Sequence, residues 1–307
     1  MSFQHEAMMY DGRHQFVVGT ASFIREGLAA GEPTLVMVKS DKIGWLRDEL
    51  QGEADAVQFA DMDKIGRNPA RIIPAWREFA HANAKPGRRL RGIGEPIWAG
   101  RRPTELVECQ HHESLLNKAF ADTAGFRLIC PYDTSSLPPA VVDEARRSHP
   151  AVQVGGAVMQ SDVYRGDNGA AYAFGDPLPE PKVPRHVLPF GIGTLQAVRK
   201  FAGRHAALAG MSEHRKDDVL FVVNEVATNS VRHAGGQGQL RAWRDRDELV
   251  FEIRDDGRIR EPLVGRTRPA LGQIDRMGLW LVNQLCELVQ VRSSAAGTVV
   301  RMHIALG

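Results

Sequence analysis

Within the segment NEVATNSVRH, Asn224 to His233, three side chains able to handle a metal ion or a phosphate follow one another at steps of four: Glu225, Asn229 and His233. At about 100° per residue each such step drifts by only about 40°, so a helix carries all three on one flank. A carboxylate and an amide one turn apart can hold a hydrated divalent cation and orient a hydroxyl or a water, which is phosphate chemistry. The plain alternative is the wet side of an amphipathic helix. Against it, Val219 to Val223 with Val226, Ala227 and Val231 leave little wet surface, and Thr228-Asn229 is a poor helix interior by propensity.

The following sequence supplies the elements that would position this flank. After a turn at Ala234 to Gly238, the apolar runs Gln239 to Trp243 and Leu249 to Ile253 flank a charged turn, Arg244 to Glu248, and predict a β-hairpin. The second run ends in Asp255-Asp256-Gly257. Gly278 opens a further helix over LWLVNQLCELV, and Gly297 to Leu306 alternates as a strand does.

This order of helix motif, strand, Asp-x-Gly, loop, Gly-opened helix and Gly-Thr strand resembles the GHKL ATPase domain, a two-layer α/β (Bergerat) sandwich shared by histidine kinases, gyrase and the anti-sigma factor kinases. The resemblance covers about Pro189 to Leu306. The short form E-x-x-T-N-x-x-x-H-A is similar to the RsbW-like anti-sigma regulatory factors. The resemblance implies ATP and Mg²⁺ as cofactors and gives the residues roles. Glu225 would be the general base or hydroxyl-orienting carboxylate, and Asn229 a Mg²⁺ ligand through its amide oxygen. Asp255 would accept from the adenine amino group. Gly257 would let the backbone turn close to the base, Gly278 would bring a helix N-terminus toward the phosphates, and Thr298 would support the adenine end; His233 belongs to the same nucleotide-binding set. It also implies a sigma factor and a STAS-type anti-anti-sigma protein as partners. The latter would be phosphorylated on serine or threonine, so the activity implied is that of a protein serine/threonine kinase in transcription regulation and signal transduction.

Two departures from the pattern bear on turnover. Asp255-Asp256-Gly257-Arg258-Ile259 carries a β-branched residue where the pattern has its second glycine, and Arg276-Met277-Gly278 keeps one glycine of two. Arg276 would replace some of the lost backbone contact with a charged side chain, since a guanidinium binds phosphate oxygens in a forked geometry. Both a working kinase and a catalytically idle, ATP-binding interaction module therefore remain open. Arg258 to Asp275 reads as the nucleotide lid or as a plain surface loop. Thr194 to Gly210 predicts one helix containing His205, which lacks the flanking acid of a phosphoacceptor; an acceptor is expected on another protein.

The chain's 307 residues fit two domains of ordinary size. The expected division is 1–154, a Pro/Gly-rich linker 155–188 containing PLPEPKVP, and 189–307. A formal net charge of +2 without a Lys/Arg block argues against direct nucleic-acid binding. No apolar run is long enough to span a membrane and no signal peptide is read at the start, so a cytoplasmic location is expected. Cys109, Cys130 and Cys286 are odd in number and widely spaced, giving neither a disulfide framework nor a Cys-x-x-Cys pair. A homodimer is one assembly left open.

In the first half, predicted helices at 13–30, 41–50, 69–84 and 104–121 alternate with strands at 34–38, 56–59, 88–96 and 126–133. That alternation predicts a parallel sheet covered on both faces, with functional loops at the strand carboxyl ends. Asp61, Gly94, Glu95, Trp98, Tyr132 and Asp133 fall there, and a small-molecule ligand site is the natural expectation. No G-x-x-x-x-G-K-[ST] occurs in this half. HEAMMY, RNPARIIPAW, RGIGEPIW, ECQHHESLLN and LICPYDTSSLP together resemble the MEDS sensory domain, a RecA-like module without a working phosphate loop, over Gln4 to Gln153. The resemblance implies a sensor of small organic ligands, in an arrangement associated with actinobacterial regulators. Glu108, Cys109, His112 and Glu113 share a helical face adjoined by His111, and could bind Zn²⁺ if His5 or Cys130 came close. The competing reading is a packed polar face whose histidines bond to the sheet. An enzyme using this Cys/His cluster is a third functional reading.

Overall fold

The computed structural model describes residues 2–166, 169, 175–269 and 277–306, and the chain separates into two compact units, Met1–Ala170 and Ala171–Gly307. In the first unit the elements run β1 (Gln4–Tyr10), α1 (Gly12–Ala29), β2 (Thr34–Val38), α2 (Ser40–Leu50), β3 (Gln58–Asp61), α3 (Met62–Ile65), α4 (Ile72–Ala82), β4 (Leu90–Gly94), α5 (Pro103–Ala119), β5 (Phe126–Asp133), α6 (Pro139–Ser148), β6 (Ala151–Val154) and β7 (Ala157–Gln160). They form a seven-stranded sheet in the order β3-β2-β4-β5-β1-β6-β7, parallel at every ladder except β6 with β7. Strands β2 and β4 are buried along their whole length, the mark of strands covered by helices on both faces.

The interior strand β1, between β5 and β6, was not among the predicted elements. Its first residues, Gln4, His5 and Glu6, look polar, yet His5 and Glu6 are buried because each has a partner: Glu113 for His5 and Arg127 for Glu6. Only Asp11 separates β1 from α1, which leaves no length for a phosphate-wrapping loop at that turn.

The second unit runs β8 (His186–Gly191), α7 (Leu195–Leu208), α8 (Glu213–His233), β9 (Gln237–Asp245), β10 (Glu248–Asp255), α9 (Met277–Leu285), β11 (Leu288–Ser294) and β12 (Gly297–Ala305). Its five strands lie in the order β11-β12-β10-β9-β8, every ladder antiparallel. One face packs Leu240, Ala242, Phe251, Ile253 and Met302 against Val198, Val222, Val226 and Val282 of the helices, a two-layer α/β sandwich. The predicted hairpin is β9–β10, with Arg246 at a positive φ of 54° in its turn. The helix predicted through Val289 stops at Leu285 instead. From Leu288 the side chains alternate, Val289 and Val291 on the core and Gln290 and Arg292 opposite, and period two overrides the helical reading.

The sheet face away from the helices is polar and yet buried. Glu252, fully buried, receives Arg254 Nε at 2.6 Å, Arg301 Nε at 2.8 Å and Arg241 at 3.5 Å. Of the stretch expected as linker, 155–188, residues 157–160 form β7 of the first sheet and β8 begins at His186, while Pro179 and Glu180 lie against this face: Arg301 donates to the Pro179 carbonyl at 2.9 Å and Glu180 pairs with Arg241 and Arg254.

Candidate nucleotide site

The helix α8 starts at Ser212, whose hydroxyl accepts from Arg215 N at 3.4 Å. It buries Val219, Val222, Val223, Val226 and Ala227 and leaves Glu225 and Asn229 half-buried on an adjoining flank. The weak interior propensity at Thr228 is offset locally, since its hydroxyl donates to the Asn224 carbonyl at 2.7 Å. His233 is the last residue of the helix and is exposed.

Asp255 ends β10 directly opposite Thr298 of β12, and alternation from Phe251 and Ile253 puts both on the helix-covered face. Ser230 of α8 donates to Asp255 Oδ2 at 2.5 Å, and Asp255 Oδ1 accepts from Gly257 N at 2.9 Å. Thr298 Oγ1 donates to the Gly257 carbonyl at 2.8 Å and lies 2.9 Å from Ser293 Oγ. Asp255, Gly257 and Thr298 thus form one network, with Ser230 and Ser293 as members that the sequence reading missed. A buried serine one residue beyond Asn229, on the otherwise apolar flank of α8, was the available signal for Ser230.

The glycines act through space, not through dihedral freedom. A Cβ on Gly257, which has no positive φ, would come within 2.6 Å of Ala234 Cβ. The missing second glycine costs no backbone strain, because Ile259 is not among the positive-φ residues and its N–H donates to Ser293 Oγ at 2.8 Å. Gly278 lies in the first turn of α9, where a Cβ would meet Glu225 Oε1 at 2.0 Å. The Glu225 carboxylate therefore packs against the first described turn of that helix. Asn283 Nδ2 donates to the Gly265 carbonyl at 3.0 Å, tying the described part of the predicted lid to α9. Arg276 and residues 270–275 lie outside the described residues. A cavity of about 750 Å³ is lined by Glu180, Gln239, Arg254 and Arg292 of the polar face together with Asp255, Ser293 and Thr298 of this network, and its lining does not include Glu225 or Asn229.

A family model described as "Histidine kinase-like ATPase domain" matches residues 189–304, and one described as "MEDS: MEthanogen/methylotroph, DcmR Sensory domain" matches residues 4–150. The chain joins a MEDS domain to a histidine kinase-like ATPase domain. No curated protein matches it. A similar solved structure contains the RsbU and RsbW domains of a Mycobacterium tuberculosis protein, 17% identical over 40% of this chain and 33% of that one, with a TM-score of 0.32. This chain thus spans about a third of that protein's length. No described helix is long and apolar enough to cross a membrane.

In the MEDS domain the carboxyl ends of β1 and β4 bring Tyr10 and Glu95 together. Tyr10 donates to Glu95 Oε1 at 2.8 Å, and Lys42 Nζ, from α2, reaches Tyr10 Oη at 2.6 Å and Glu95 Oε1 at 2.5 Å. Glu95 is fully buried, and its Oε2 has no hydrogen-bond partner. Burial outweighs the pull of Lys42 and pushes its carboxyl up to about 7. Trp98 is flanked by Arg101 at 3.8 Å and Lys39 at 5.5 Å from its ring centroid. Gly94 is needed for space, since its Cβ would sit 3.0 Å from the Trp76 ring. Asp61 caps α3 by accepting from Asp63 N, and Asp133 accepts from Ser135 N at 3.1 Å, so both serve local turns. Burial pushes the Cys109 thiol up to about 12, which leaves it protonated at neutral pH and unsuited to nucleophilic attack.

Proposed function

We propose that the chain is a signal-responsive regulator whose ATPase domain binds Mg-ATP and acts in the manner of an anti-sigma regulatory factor. In this reading Asn229 supplies an oxygen to Mg²⁺, Asp255 reads the adenine amino group, and Thr298 and Gly257 hold that end of the pocket. Glu225 orients a serine or threonine hydroxyl of a STAS-type partner toward the γ-phosphate. The same domain would hold a sigma factor when the partner is phosphorylated. The observation that carries the reading is the packing of the Glu225 carboxylate on the first turn of α9, beside Asn229 and on the sheet face that holds Asp255 and Thr298. The MEDS domain would sense a small organic molecule against Trp98 and the free Oε2 of Glu95, altering nucleotide affinity or partner release.

Calorimetry and radiolabelled phosphotransfer to a purified antagonist test this directly. Asn229→Ala is expected to abolish Mg-ATP binding, whereas Glu225→Ala keeps binding and stops transfer. A wild type with no ATP affinity sinks the reading. Binding without transfer in the wild type selects the idle interaction module.

A further inference from the structure

Four ligand-type side chains from four separate elements meet inside the MEDS domain: His5 of β1, Glu113 of α5, Cys130 of β5 and His149, which follows α6. The side chains of His5, Glu113 and His149 are wholly buried, and Cys130 is 1% exposed. Their ligand atoms all lie within 4.8 Å of one another. We propose that these residues form a closed, four-ligand Zn²⁺ site that fastens α5 and α6 to the sheet.

The argument begins with where the imidazole protons must be. Asn117 Nδ2 donates to the Ser148 carbonyl at 2.8 Å, which turns its Oδ1 toward His5 Nδ1 at 3.0 Å, so Nδ1 carries the hydrogen. His149 Nδ1 lies 2.7 Å from the Ala145 carbonyl, an acceptor only, so it carries a hydrogen as well. Both neutral rings therefore turn a bare Nε2 inward, to 3.2 Å and 3.3 Å from the same Glu113 oxygen. Three acceptors face one another.

Protons alone serve this arrangement badly. The Cys130 thiol, 3.4 Å from His5 Nε2, can satisfy one ring. The His149 lone pair then still faces a carboxylate, and His149 Nε2 and Glu113 Oε1 are among the buried polar atoms with no hydrogen-bond partner. Making His149 alone cationic pairs it with Glu113 at 3.3 Å but still leaves Glu113 Oε1 without a partner, and making both rings cationic sets two buried charges side by side, their centroids 4.0 Å apart.

A divalent cation satisfies all four groups at once. Two nitrogens, an oxygen and a sulfur suit tetrahedral zinc, with bonds of about 2.0 to 2.3 Å, and such bonds separate neighbouring ligand atoms by about 3.3 to 3.6 Å. Three of the six edges, at 3.2, 3.3 and 3.4 Å, match that spacing, and the other three lie within 4.8 Å. The Nδ1 bonds to Asn117 and Ala145 are the outer contacts that orient metal-binding histidines. Cys109, His111 and His112, prominent in the sequence, are not members; Glu113 is the one residue of that helix face that belongs.

The test uses the full-length, untagged chain, loaded with zinc and passed over a column containing a weak chelator. Elemental analysis is expected to find about one zinc per chain in the wild type, and less than about a tenth of that in Cys130→Ser and His149→Gln. Cobalt in place of zinc should give tetrahedral bands with a thiolate charge-transfer absorption that Cys130→Ser removes. Asn117→Ala, outside the ligand set, should weaken zinc affinity roughly ten- to hundredfold, which keeps the test meaningful if a ligand variant fails to fold. Equal zinc retention by wild type and His149→Gln, a cobalt spectrum without the thiolate band, or a wild-type melting temperature indifferent to zinc would each overturn the proposal. None of these readouts depends on ATP.

Discussion

Replacing Gly278 by alanine isolates the contact on which the proposed chemistry depends. The new Cβ would lie 2.0 Å from Glu225 Oε1 and 2.6 Å from its Cδ. Ordinary contact between such atoms begins near about 3.5 Å, so the carboxylate must withdraw by about 1 Å or more. A displacement of that size at a reacting group costs about a hundredfold in rate, equivalent to about 3 kcal/mol in the barrier. Stability should move little: alanine favours a helix by about 1 kcal/mol over glycine, and the displaced atoms are the far end of a flexible side chain. ATP turnover and single-turnover phosphotransfer, measured beside Mg-ATP affinity by calorimetry, separate these effects. The expected outcome is near-normal nucleotide affinity, an unchanged or slightly raised melting temperature, and turnover reduced about a hundredfold. Turnover within about threefold of wild type would refute the role given to Glu225. Loss of ATP affinity would refute it too, because the glycine would then be serving the phosphates and not the carboxylate.

In the same ATPase domain, Glu252→Ala would leave Arg301, 4% exposed, and Arg254 without their shared carboxylate. A loss of about 3 to 5 kcal/mol is expected in urea unfolding of that domain, and a loss below about 1 kcal/mol would contradict it. Glu95 predicts a pH dependence for the MEDS domain. Its carboxyl, ordinarily near 4.5, stands at about 7 in the folded chain, so its stabilising contribution is full below pH 4.5 and is lost as pH rises through 7. By pH 8 the loss is about 3 kcal/mol, and Glu95→Gln, which can keep bonds to Tyr10 and Lys42, should flatten that slope. Parallel pH profiles for the two proteins would count against it. Ser230→Ala removes the hydroxyl that holds Asp255 Oδ2, and should weaken Mg-ATP binding about tenfold or more without abolishing it; an unchanged dissociation constant in calorimetry would separate that bond from adenine recognition.

Much of the architecture could be read from the chain because it rests on period and punctuation. Alternating helices and apolar runs specified the parallel sheet, and the charged turn before Glu248 specified the β9–β10 hairpin. Two strands escaped for different reasons. In β1 the buried His5 and Glu6 have partners more than a hundred residues away, invisible to any local pattern. In β11 the run from Leu285 to Val291 is apolar enough to fit either period until its burial is known. At the candidate nucleotide site, spacing singled out Glu225, Asn229 and His233, and the GHKL resemblance singled out Asp255, Gly257, Gly278 and Thr298; the structure joins Asp255, Gly257 and Thr298 in one network and sets Glu225 against Gly278. Ser230 was not legible, since its role depends on the register that sets α8 over the end of β10. The metal-type cluster divided in the same way. Glu113, His5 and Cys130 met as the conditional reading required, while His149 had no spacing relation to announce it, and the tight run of Cys109, His111 and His112 drew attention to the wrong members.

The single residue between β1 and α1 has a consequence for how the chain would handle information. In the proposed reading, with no room at that turn to wrap a triphosphate, the first domain would sense its small molecule without a nucleotide held there. A molecule arriving at Glu95 would not have to displace an abundant nucleotide, and so could register at low concentration. ATP level and signal would enter as independent variables, and the output would depend on their conjunction, as in a coincidence detector.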